Sequence, residues 1–132
     1  MDNKLLKKII AEHGRWLDDP SQGIRANLRG VNLAGTILTG ANLEGANLSC
    51  ADMQGADLAG ADLCHADLTG TILKSANLQG ALLCHATLAG ADLEGANLEG
   101  ANLSCADLDT AGLAGAILKK TIIMLGDLTL SI

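Results

Sequence analysis

From Ala26 onward an apolar residue returns every fifth position. Leu occupies 28, 33, 38, 43 and 48, Met stands at 53, Leu resumes at 58 and continues at each fifth position to Leu118, and Ile123 and Leu128 close the series. Two residues before each stands Ala or a small substitute such as Val31, Thr36, Thr71, Thr121 or Gly126. Asn or Asp mostly lies between them, and Gly usually ends the quintet, as in ANLEG at 41–45 and ADLAG at 56–60. Helix faces recur at about 3.6 residues and strand faces at 2, so neither regular element explains a period of five. A unit closed by Gly turns once per unit. Within it, Leu and the Ala two before share one face of a short extended segment and the residue between them faces outward. If each turn is close to a right angle, four segments make a square with Leu pointing inward. The coil then repeats every 20 residues, and successive coils stack at about 4.8 Å through backbone hydrogen bonds.

Residues 1–25 follow another rule. Asp2 or Asn3 offers a cap, after which Leu5, Leu6, Ile9, Ile10, Trp16 and Leu17 recur at helical spacing and leave Lys4, Lys7, Lys8 and Glu12 on the other side. This predicts an amphipathic helix of about four turns that stops before DDPSQG. A solenoid presents an unpaired coil at each end, so the helix is expected to cover the first coil. Four Lys/Arg residues, offset by Asp2 and Glu12, are too few for a basic membrane-surface helix.

The array from Ala26 to Leu130 resembles the pentapeptide repeat family. The resemblance implies an all-β solenoid, a right-handed quadrilateral β-helix of about five coils, here with an N-terminal α-helical cap. Two regions follow: residues 1–25, the amphipathic capping helix and linker, and 26–132, the repeat β-helix. Gly at corners tolerates positive φ, and Asn or Asp can bond nearby backbone in turns, so these residues are read as scaffold.

Composition sharpens the picture at two points. One Trp with no Phe and no Tyr leaves the interior to Leu, Ile and Ala. No apolar run is long enough to span a membrane, and the opening MDNKLLKKII lacks a secretory h-region, so the expectation is a cytoplasmic protein with four reduced cysteines. Charge is uneven: residues 26–132 carry eleven acids and four bases, whereas 1–25 carry five bases and four acids. An acidic rod disfavours direct nucleic-acid binding, which needs clustered Lys and Arg.

Candidate chemistry is sparse. Cys64-His65 and Cys84-His85 are one coil apart, so the cysteines stack in one outward column and the histidines in the next, continuing to Cys105. Zinc needs four converging S or N ligands, while neighbouring outward side chains diverge around a corner and no CxxC supplies two from one strand. The ladder is therefore read as an echo of coil length, with metal binding through it as an alternative and no cofactor or stoichiometric zinc expected. No Ser-His-Asp, paired-carboxylate or phosphate-binding pattern occurs, and a filled interior leaves no cleft, so an enzyme is not expected.

The remaining reading is a rigid protein-interaction or scaffold surface. Some members of the family mimic DNA and bind gyrase, which makes an acidic rod a candidate mimic of that kind. Its eleven acids, however, fall short of the roughly fourteen charges that duplex DNA carries over about 24 Å. Folding the quintets into four columns places Leu82, Cys84, Asn102, Ser104, Ile122 and Met124 outward on one face, where only Glu44 and Asp62 bring acid. The final stretch adds Leu125 and Leu130 where Gly is usual. No helix follows to cover the last coil, so either the tail folds across it or a second chain does, giving a homodimer through the C-terminal end.

Overall fold

The structure, a computed structural model, describes the backbone of residues 1–125 and 128–131 and the side chains through Met124. From Asn27 to Ile122 the chain winds into stacked coils, and every parallel bridge joins a residue to the one 20 further on, as in Asn27 to Asn47 and Asn102 to Ile122. A middle segment bonds both its neighbours along the axis: Asn47 N–H donates to Ala26 O of the coil before at 3.0 Å, and Leu48 N–H donates to Asp67 O of the coil after at 2.8 Å. The fivefold pattern thus acts as expected. Leu and Ala of the middle coils are fully buried, and Met53 fits the same column as the leucines.

The position between Ala and Leu has a second task. Each of the thirteen Asn or Asp residues there, from Asn27 to Asp107, accepts a hydrogen bond through Oδ1 from the backbone N–H two residues on. The side chain ties down the turn that follows it, which is why this residue type recurs. Thr71 and Thr121 replace inward Ala, and their buried hydroxyls donate to Leu48 O and Leu98 O, so neither leaves a polar atom unpaired.

Helix α1 (Asn3–Asp18) begins at Asp2, whose carboxylate accepts from Lys4 N–H at 3.2 Å. It lies against the first coil, with Leu6 in the core and Ile9 and Ile10 packed on it. His13 fastens the two together. Its Nδ1 accepts from Ala26 N–H at 3.0 Å and its Nε2 lies 2.9 Å from Glu44 O. An amide N–H only donates and a carbonyl only accepts, so the ring is the neutral Nε2–H tautomer. The linker then returns beneath the helix, where Ile24 N–H donates to Glu12 O at 3.2 Å. Gly23 permits this close passage, because a Cβ there would collide with the backbone of Trp16 and Glu12.

At the other end the regular coil stops earlier than the fivefold pattern does. Strand β1 (Ile122–Leu125) pairs antiparallel with β2 (Leu128–Ser131), with Ile123 opposite Leu130 and Leu125 opposite Leu128. Leu128 was expected to continue the inward column; its backbone instead turns back along β1. The corner after Ile123 falls on Leu125, a residue poorly suited to positive φ.

Candidate interaction surface

One face of the coil is built from the column Asn42, Asp62, Leu82, Asn102 and Ile122, joined in that order by parallel bridges. Leu82 and Ile122 stand where Asn or Asp otherwise anchors the turn, and they remain 41% and 36% exposed. Asn102 between them keeps the turn bond, donated by Ser104 N–H at 3.0 Å, and also accepts from the Ser104 hydroxyl at 2.6 Å. Met124 is half-buried in β1. Two expected members of the surface, Leu125 and Leu130, have side chains that lie outside those described.

The next two columns carry the cysteines and histidines. His65 N–H donates to Cys84 O at 2.8 Å and His85 N–H to Ser104 O at 2.9 Å, which locks the coils in register. The two imidazole rings consequently stack face to face, 4.9 Å between centres and 1° from parallel. Partial burial and the adjoining Cys84 thiol push the Cys64 thiol up to about 12. It therefore stays protonated at neutral pH and is a poor nucleophile. Cys64, His65, Cys84, His85 and Cys105 form a ladder along two neighbouring columns, and among the described residues no group of three or more His, Cys, Asp or Glu side chains converges as metal ligands would.

The corner beneath this ladder is strained. His65, His85 and Cys105 have φ of 59°, 57° and 57°, in the left-handed region where most corners of the coil use Gly. Cys50, Ser75, Thr110 and Lys120 share that conformation, but only this column holds three such residues in succession.

Exposed apolar residues also occur where the fivefold pattern drew no attention. Ile37, 78% exposed, and Ile117 occupy the turn-anchoring position on another face, and Ile72 does so on a third. The signal was available: each is an Ile where the quintet specifies Asn or Asp. His13 was also missed as a clamp, although its spacing from Leu6 and Ile10 already placed it on the buried side of the helix.

A pentapeptide repeats family model matches residues 26–113. The chain belongs to the pentapeptide repeat family. HetL, a pentapeptide repeat protein involved in heterocyst differentiation regulation in the cyanobacterium Nostoc, is 36% identical over 74% of this chain and 51% of its own, with a TM-score of 0.60. A pentapeptide repeat protein of the Arabidopsis thaliana thylakoid lumen is 30% identical over 77% of this chain and 70% of its own, with a TM-score of 0.59. The chain thus spans about half the length of HetL. A comparison with curated proteins finds no match. No described helix of this family member is long and apolar enough to cross a membrane.

Proposed function

We propose that this pentapeptide repeat protein is a non-enzymatic cytoplasmic scaffold that binds another protein through the face carrying Leu82, Ile122 and Met124. One observation carries the reading: on this face exposed aliphatic side chains displace the Asn or Asp that the turn favours, and acid is confined to Glu44 and Asp62 near the opposite end. The strained histidine corner beside it supports the same assignment, because three side chains are kept where Gly would sit without penalty. A surface with aliphatic centres suits an apolar protein partner rather than a phosphate backbone or a small substrate. Among the described residues, hollows lie against α1, and those have no His, Cys or Ser in their lining.

The test places a photo-crosslinking amino acid at position 82 and, as control, at Gln79 on the adjoining face. A discrete protein adduct from position 82 alone supports the surface. Equal labelling from both positions, or none, removes it. A gyrase supercoiling assay run beside it separates the DNA-mimic alternative, which requires inhibition that Leu82→Asp leaves intact. Light scattering across a concentration series identifies the homodimer as the occupant if association disappears in Met124→Glu.

A further inference from the structure

The far end of the molecule carries an apolar hollow with basic residues at its margin. Between α1 and the start of the coil lies a groove of about 270 Å³, floored by Leu5, Ile9, Ile24 and Ala26, with Lys8, Glu12, Arg25 and Asn27 completing its lining. Leu5 is 49% and Ile24 70% exposed, so the apolar floor reaches the surface. The groove continues past Lys4 and Lys8 toward the start of the helix, and Arg25 lines its other margin. Six of the nine Lys and Arg residues fall within the first 29 positions of a chain whose net charge is −6.

Acids line it as well, Glu12 in the groove and Asp2 in its continuation, but each has a partner. Asp2 is committed to capping the helix and Glu12 to Arg15, which donates to it at 3.2 Å. Lys4 and Lys8 form no ion pair among the described residues. Arg25 is held in place, its Nε donating to Gly45 O at 2.6 Å with the guanidinium 6.0 Å from the Trp16 ring centre, and it forms no ion pair among the described residues. An apolar slot rimmed by unpaired cations on a rigid support is complementary to a segment with the reverse arrangement.

We propose that this groove docks an acidic segment of another protein, seating a bulky apolar side chain on Leu5, Ile9 and Ile24 and placing carboxylates against Lys4, Lys8 and Arg25. The site is separate from the Leu82 face, and neither depends on the other. A membrane surface fits less well, since the groove is concave and Leu6 and Ile10 of the helix are already turned onto the coil. A second copy fits less well too. Its rod offers exposed Ile72 between Asp52 and Asp92, but Lys74 already pairs with Asp92 at 3.4 Å and with Glu94 at 3.0 Å, which leaves less free acid there for the groove's cations.

The experiment selects displayed random peptides of roughly twelve residues on the full chain and measures the winners by fluorescence anisotropy. The expected winners carry net negative charge and at least one Leu, Ile, Phe or Trp. They should lose affinity at least about tenfold in Lys4→Glu with Lys8→Glu, and separately in Ile24→Asp, while Leu82→Asp leaves binding unchanged. These sites are exposed, and a cooperative melt close to that of the parent verifies each variant; should Ile24→Asp misfold, the lysine pair decides alone. Winners without acidic residues, or equal binding to parent and variants, would overturn the proposal. So would self-association, or sedimentation with phosphatidylserine vesicles, that is abolished by the same lysine changes, since either would assign the groove to another occupant.

Discussion

The two ends of the solenoid are made from the same quintet and end in different states. At the first coil Leu28, Leu33, Leu38 and Leu43 are fully or almost fully buried, because α1 lies across them and His13 fastens it to Ala26 and Glu44. At the last coil Leu108, Leu113 and Leu118 hold equivalent positions and are only half-buried. The quintet therefore directs Leu inward but does not remove it from water. Burial comes from the neighbour stacked above or below, so the stability of each coil is set largely by the interfaces it makes.

The largest expected contrast puts the same charge into a middle and an end coil. Leu78→Asp buries an unpaired carboxylate between two coils and should abolish cooperative folding or lower stability by several kcal/mol, whereas Leu113→Asp should cost no more than about 3 kcal/mol. Chemical denaturation of both variants measures the gap, and equal losses would refute the claim that stacking does the burying. Next in size is the clamp. His13→Ala strands Ala26 N–H and Glu44 O and should cost about 1 to 3 kcal/mol, read as a lower melting temperature and faster amide exchange in the first coil than in the middle ones.

Acid should make the first end resemble the last. Burial holds the His13 pKa below its ordinary value of 6.5, with nearby Arg25 adding to the effect and the Glu44 contact opposing it. In the unfolded chain the ring gains its proton near 6.5, earlier on acidification than in the folded protein. Stability contributed by neutral His13 is therefore complete above 6.5 and falls as pH drops below it, until the folded pKa is reached. A melting temperature that declines from pH 7.5 to 5 in the parent and less steeply in His13→Gln is the expected outcome. The smallest effect concerns the corners. His85→Gly should raise stability by up to about 1 kcal/mol by relieving a left-handed φ of 57°, and Gly80→Ala should lower it by a similar amount at φ 65°.

Much of this molecule could be read before its structure was known, for a physical reason. A period-five array allows few ways to bury Leu, and the outward Asn and Asp announce their own turns, so the coil, its 20-residue pitch and the buried columns followed from spacing alone. The Leu82 and Ile122 column followed from the same arithmetic. What escaped were features that no period encodes. His13 is one residue whose role depends on which carbonyl lies above it. The Lys4 and Lys8 groove exists only because the linker after Pro20 brings Ile24 back beside Leu5, a long-range placement that neither segment specifies by itself. The backward turn of β2 was missed because Leu128 keeps the fivefold beat even after the backbone has left the coil.

Because the bonds between coils run along the axis of the rod, a pull on its two ends would load them one coil at a time. Each coil that peels away releases 20 residues, or roughly 65 Å of extended chain once the stacking height is subtracted. Under tension the molecule would lengthen in even steps, beginning at the half-covered last coil and finishing at the end that α1 holds.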